Sequence, residues 1–308
     1  MTGAGTPSAG TPSAGTPSAE TALTGTPRST PFPTSPMLPY RIVDAFTGRP
    51  FAGNPAAVIL PGEASARLSD PELLAIAAEM NLSETAFPGL EGSDGVRRLR
   101  WFTPATEVTL CGHATLAAAH ALLEEGTPAP LRFESLSGPL AVDRESDGRL
   151  RLDFPADPPV EQAAPPGLME ALGLPERTPF VTGARCAIVP VPDETVLLEL
   201  APRMDALGRV SLPPGVMGVS ATSPSDQEGV DFASRFFGPW VGVPEDPVTG
   251  MAHTVLAPWW AARLGKGDLQ ARQRSARGGE LTVRVRGDRV HLVGRAVTVA
   301  RGEMLSPA

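Results

Sequence analysis

The sequence predicts an α+β fold of two similar domains, each an antiparallel sheet wrapped around one central helix. Short runs of alternating apolar and polar residues dominate the chain, separated by turn residues and lacking a Gly-rich βαβ fingerprint, which suits antiparallel sheets. Two segments, EVTLCGHATLAAAHALLEEG (107–126) and EDPVTGMAHTVLAPWWAARLG (245–265), share a plan. Each has an acid, then Val and Thr, then Gly-x-Ala opening a run of small and apolar residues. Aligning Gly112 with Gly250 sets the copies 138 residues apart. Both runs are apolar nearly all round, the pattern of a buried helix. Coincidence between two core helices is the alternative reading of the likeness.

Taken in order, residues 1–38 form a low-complexity tail whose first part repeats GAGTPSAGTPSAGTP. Ala, Gly, Ser, Thr and Pro bury too little apolar surface to offset ordering entropy, so this tail is expected to be disordered. Order is expected from Tyr40. YRIVDAFT and PAAVIL read as strands on either side of a turn at GRPFAGNP. SDPELLAIAAEM reads as a helix, with Ser69 as N-cap and Pro71 in its first turn. SETAFPG and VRRLRWFTP read as strands, then the 107–126 segment as a helix, then LRFESLSG, GPLAVDRE and RLRLDFP as strands. Proline-rich PADPPVEQAAPPG (155–167) makes the best inner linker, which gives domains at 39–155 and 156–308. Beyond it the spacing predicts a helix at 167–173, strands near 180–190 and 194–200, and a helix near 203–209. Strands at 215–221 and 230–237 precede the second small-residue helix, and strands at 269–275, 280–286 and 289–299 close the chain.

Composition excludes several classes. The formal charge of -8 and a pI near 5.1 argue against nucleic acid and anionic membrane as partners. No apolar run reaches the roughly 18 residues of a membrane span, and the N-terminus lacks the apolar core of a secretory signal. Two distant cysteines, Cys111 and Cys186, form neither a disulfide framework nor a CxxC site, so a reducing cytoplasm is expected. The scattered positions of the four histidines predict no metal site.

Chemistry is expected at the two helix starts. A helix start exposes unpaired N–H groups and a partial positive charge, and Gly or Ala there lets a ligand approach the backbone. Two such starts facing one cleft would hold a small anion, most simply a carboxylate. Cys111 and His113 lie beside the first, Asp246 and His253 beside the second. Glu84, in MNLSETAFP, is a lone acid among Met80, Leu82, Ala86 and Phe87 at the start of a half-buried strand. A carboxyl so placed at the cleft can take a proton from carbon and return it; otherwise it is a turn or cap acid. His113 is either catalytic or a capping histidine. His253 and His120 suit structural roles, His291 has no evident role, and Asp246 alone reads as a helix cap. Cys111 is either a small core residue or a thiol activated at a helix start. Trp101, Trp240, Trp259, Trp260, Phe236 and Phe237 could wall a ring-sized pocket, but core packing suits most of them.

The blocks VDAFTGRPFAGNPAAV, MNLSETAFP, LRWFTPATEVTLCGHAT, SRFFGPWVGVPEDPVTGMAH and SARGGEL carry a likeness. From about Tyr40 to about Gly302 the chain resembles the PhzF family of phenazine biosynthesis-like isomerases. The resemblance implies a diaminopimelate-epimerase-like fold, with the active site between two similar domains, a homodimer, and no metal or organic cofactor. It implies that Glu84 shuttles a proton while His113 and Asp246 orient and polarise a small carboxylate substrate. Asn54, Gly112, Ala114, Gly250 and Met251 are the implied substrate-binding positions, with backbone N–H groups gripping the carboxylate. One departure stands out: the family usually has serine where this chain has Met251, and a thioether donates no hydrogen bond. Two rival readings follow. Cys111 and Thr249 at the two helix starts resemble racemases or dehydratases of small imino acids, although threonine is a poor base. A small-molecule-binding protein without catalysis is the other, favoured by Met251 alone.

Overall fold

The computed structural model describes residues 1, 3 and 36–307, so most of the N-terminal repeat lies outside the described residues. Met37 and Leu38, assigned to the tail by sequence, open the first strand, where Leu38 is buried. The first stretch runs β1 (Met37–Ala45), β2 (Asn54–Ile59), α1 (Asp70–Met80), β3 (Glu84–Glu91), β4 (Val96–Phe102) and β5 (Glu107–Val108). It continues with α2 (Gly112–Glu124), β6 (Leu131–Ser135), β7 (Gly138–Arg144), β8 (Leu150–Pro155) and β9 (Val160–Glu161). The second runs α3 (Leu168–Leu172), β10 (Val181–Thr182), β11 (Cys186–Pro190), α4 (Glu194–Glu199), α5 (Met204–Leu207), β12 (Gly218–Pro224) and β13 (Phe232–Gly238). It ends with β14 (Val243–Asp246), α6 (Gly250–Leu264), β15 (Asp268–Gln273), β16 (Gly279–Arg286), β17 (Arg289–Gly294) and β18 (Ala296–Leu305).

Strand pairing reveals the duplication. In the first half β1 pairs antiparallel with β2, β2 parallel with β3, β3 antiparallel with β4, and β4 parallel with β6 across α2. In the second half β10, β11, β12, β13 and β15 repeat that sequence of pairings, with α6 in the place of α2. Hairpins β6–β7–β8 and β15–β16–β17 complete each half. The sheets are therefore mixed: the four parallel pairs arise where a helix carries the chain back, a return that strand alternation alone does not show. The residue 155/156 division is also crossed at one edge, where β18 pairs with β1, so the first half takes its outermost strand from the end of the chain. Strand β9 pairs with β10 within the second half. The halves join where β8 pairs antiparallel with β17, from Leu150↔Gly294 to Pro155↔Arg289.

Local rules explain most helices. Glu72 accepts the Ser69 backbone N–H at 2.7 Å and closes the start of α1. Residues 194–200, read as a strand, form α4 because Asp193 caps it, its carboxylate accepting the Val196 N–H at 2.8 Å. Ten of the thirteen residues of α2 are buried, as are nine of the fifteen in α6. Both belong to one apolar cluster that spans the halves. Small side chains let the sheets close on these helices; Trp259 and Trp260, with Phe232 stacked on Trp260 at 5.4 Å, fill the wider end of α6. Trp101, Phe236 and Phe237 are likewise core, and Trp240 is half-buried with its N–H given to the Val210 carbonyl.

The two helix starts touch. A Cβ on Gly112 would lie 3.3 Å from the Gly250 Cα, and one on Gly250 would lie 3.4 Å from the Gly112 Cα. Backbone faces backbone, so neither side can yield by rotating a side chain. Gly112→Ala should therefore lower stability by about 1–3 kcal/mol, as overpacking does, read as a fall in the urea midpoint. An unchanged midpoint would show that the helix starts part freely.

Candidate active site

Both central helices begin without a cap. Cys111 and Thr249 occupy the N-cap positions, and neither side chain bonds to its own first turn through oxygen or nitrogen. Thr249 donates its hydroxyl to Asp246 Oδ2 at 2.5 Å, and the Cys111 sulfur lies 3.5 Å from His113 Nδ1. The first-turn N–H groups of Gly112, His113, Gly250, Met251 and Ala252 thus have no acceptor within their helices. Ala114, another expected substrate-binding position, lies in the same first turn with its methyl buried.

Three segments bring the acid–base groups to this point. Strand β3 opens on Glu84, as its sequence pattern predicts. Glu84 Oε2 lies 3.2 Å from His113 Nε2, with side chains 18% and 6% exposed. They sit at ion-pair distance without the alignment of a hydrogen bond, and both atoms are buried without a hydrogen-bond partner. Asn54 follows a tight turn at Gly53, whose φ of +66° and close approach to the Ala45 carbonyl admit no side chain. Its amide donates to Asp246 Oδ1 at 2.8 Å and to the Val248 carbonyl at 2.9 Å, and sits 3.2 Å from His113 Nδ1. Asn54 is fully buried; its Nδ2 joins the acid of one half to the histidine of the other, while its Oδ1 has no hydrogen-bond partner.

Gln273, which sequence reasoning missed, holds the second helix start. Its Oε1 accepts the Thr249 N–H at 2.9 Å, and its Nε2 donates to the Asp246 carbonyl at 2.7 Å and to Thr249 Oγ1 at 3.2 Å. The available signal was an amide at the very end of a strand, just before SARGGEL.

Burial and charge set the protonation states. Burial works against a charge on His113, yet the Cys111 sulfur and Glu84 carboxylate outweigh it and hold its pKa well above the ordinary histidine value. The thiol is itself pushed up, by burial first and the Glu84 charge second, so Glu84 is the partner that keeps a proton on the ring. Burial raises Asp246 to about 6 against the Asn54 and Thr249 hydrogen bonds. His253, with Nδ1 2.8 Å from the Thr249 carbonyl, is driven down to about 4 by burial and is a neutral core residue. His120 and His291 lie away from the site, beside Glu124 and Asp153.

Glu84, Cys111 and His113 offer an oxygen, a sulfur and a nitrogen within 4.8 Å of one another, close enough to hold one metal ion. Sequence spacing predicted no metal site; this grouping is made by the fold. A cavity of about 500 Å³ adjoins the helix starts, lined by Gly112, Met251 and Thr254 and by apolar Leu110, Leu140 and Phe154. Glu84, His113 and Asp246 are not in its lining. None of the tryptophans or phenylalanines considered as pocket walls lines it either.

Glu84, His113 and Asp246 thus come together where the duplicated halves meet. Residues 43–302 match the model of the phenazine biosynthesis-like protein family. A Pseudomonas aeruginosa protein named as an uncharacterized isomerase is 51% identical over 265 residues, covering 85% of this chain and 96% of that one. A phenazine biosynthesis-like domain-containing protein of Bos taurus is 40% identical, covering 87% and 99%. The crystal structure of an Enterococcus faecalis PhzF family protein superposes with a TM-score of 0.79 at 41% identity, covering 87% of this chain and 99% of that one. The chain belongs to the PhzF family and has its α+β, diaminopimelate-epimerase-like fold. A probable proline racemase from Agrobacterium radiobacter, 14% identical with a TM-score of 0.58, shares that fold. No helix among the described residues is long and apolar enough to cross a membrane.

The lowered pKa of His253 has a sign. The unfolded state binds a proton near pH 6.5 and the folded state only near 4, so this contribution to stability is complete above 6.5 and is lost as pH falls through 4. The unfolding free energy of His253→Gln should therefore fall less than that of the parent between pH 7 and 4.5 in urea titrations. Equal slopes would show that the ring is not held neutral.

Proposed function

We propose that the protein is an isomerase that moves a proton between carbons of a small carboxylate substrate, with Glu84 as the acid–base group. The observation that carries this is the pair of unpartnered buried atoms, Glu84 Oε2 and His113 Nε2, beside two uncapped helix starts. The free N–H groups of Gly112, Gly250 and Met251 would grip the carboxylate, since backbone donors and the helix dipole favour an anion there. Met251 supplies its N–H as any residue would, while its thioether takes the space of a hydroxyl and adds an apolar wall to the adjoining cavity. Protonated His113 then stabilises negative charge developing on the substrate, and Glu84 carries the proton from one carbon to the next. Asn54, Thr249 and Gln273 hold Asp246 and His113 in register. On this reading the halves open at the glycine contact far enough for substrate to reach Glu84.

The rival two-base mechanism is disfavoured by the same geometry. The Thr249 hydroxyl is already given to Asp246, and burial keeps the Cys111 proton in place. A protein that only binds would have no use for a titratable acid with an open valence against a charged histidine.

A screen of acidic cyclic metabolites by NMR in heavy water should find a compound whose carbon takes up solvent deuterium. Against that compound, Glu84→Gln should lower turnover by about 10²–10⁴-fold and leave its dissociation constant within a few-fold, because gripping the carboxylate rests on other groups. Native turnover by Glu84→Gln would end the proposal. Cys111→Ser should retain activity; a Cys111→Ser enzyme as dead as Glu84→Gln would favour the cysteine mechanism.

A further inference from the structure

The duplicated fold makes two equivalent clefts, one at each end of the β8–β17 seam. Beyond the Pro155↔Arg289 end lies the 500 Å³ cavity, closed by the β10–β11 turn at Ala184 and Arg185. Beyond the Leu150↔Gly294 end lies a larger cavity of about 780 Å³, closed by the matching β1–β2 loop at Phe46–Ala52. The first opens onto the helix starts. No residue of either helix start lines the second, whose wall includes Phe46. Its ring fills the hollow over Gly294, where a Cβ would lie 2.6 Å from the Phe46 Cδ1. Its φ of +60° is a strained value for a bulky residue, held by packing.

Chemistry has diverged with geometry. The second cavity is lined by five arginines, 49, 149, 272, 277 and 295, against two carboxylates, Asp147 and Glu280, in a chain of net charge -8. Three of the arginines are engaged. Arg277 is held by Asp44 at 2.7 Å and the Gly53 carbonyl at 2.8 Å, Arg149 by Asp147 at 2.7 Å, and Arg272 by Gln227. Among the described residues Arg49 and Arg295 have no ion-pair or side-chain hydrogen-bond partner. Like charges converge on a concave surface there, in excess of the acids that line it.

We infer that this cavity binds a small polyanion, a compound bearing at least two phosphate or carboxylate groups, gripped by Arg49 and Arg295. Its volume lies within the range of small-molecule sites, and planar guanidinium groups match both anions in two-point hydrogen bonding. The site is separate from the candidate catalytic groups, yet its wall reaches them. Arg277 donates to the Ala52 and Gly53 carbonyls, and Gly278 accepts the Gly53 N–H at 2.8 Å, directly before Asn54. Occupancy would therefore bear on the loop that presents Asn54.

Calorimetric titration of the full chain with inorganic pyrophosphate and, separately, with citrate tests this. One equivalent of either per chain is expected at near-physiological salt; preference for one probe identifies the phosphate or carboxylate class. Arg49→Ser/Arg295→Ser should weaken that binding at least tenfold, whereas Glu84→Gln should leave it unchanged. Failure of both probes to bind at millimolar concentration overturns the inference, as does undiminished binding by the double serine variant. It is also overturned if sedimentation shows that the double variant splits a dimer, since the arginines would then face a second copy.

Discussion

Everything at the centre of this molecule depends on the contact between Gly112 and Gly250. Two helices meet there start to start, which brings together two positive dipole ends and two sets of unsatisfied N–H groups. Electrostatics alone would push such ends apart. They are held by burial of small-residue helix bodies and by an amide network that crosses between the halves. Asn54 ties Asp246 to the Val248 carbonyl and sits against His113, while Gln273 clamps Thr249. An anion is the natural third member of such an arrangement. The missing caps make the same point, because α1 and α4 have capping carboxylates while the two buried helices have their N-cap side chains turned elsewhere.

The same packing sets the electrostatics of Glu84 and His113. Glu84 and His113 lie at ion-pair distance with little exposure to water. Against its burial, His113 is held well above the ordinary histidine value by the Cys111 sulfur and the Glu84 carboxylate. Asp246 has its carboxylate committed to Asn54 and Thr249.

Much of this was legible in sequence where a single local pattern decided the outcome. Glu84 at the head of a half-buried strand, Ser69 as a cap, and the small-residue helices around Gly112 and Gly250 all follow from spacing and side-chain size. The likeness of 107–126 to 245–265 pointed to duplication, and the strand pairings show it. What was hidden was set by contacts distant in sequence. Asn54 reaches Asp246 across 192 residues, and nothing near either one signals the other. Parallel pairing across α2 and α6 depends on how a helix returns the chain, and α4, read as a strand, is fixed by the Asp193 cap. Gln273 looks like any strand residue until the helix start it clamps is in place.

The return of the last strand to the first half has a wider consequence. Because β18 completes the first sheet, the first half is not a self-sufficient module despite the repeat. Alone it would present a bare row of backbone donors and acceptors along β1, open to pairing with another chain. The strand that closes the fold thus ties both copies into one cooperative unit, and frees each to change its cleft without losing its partner.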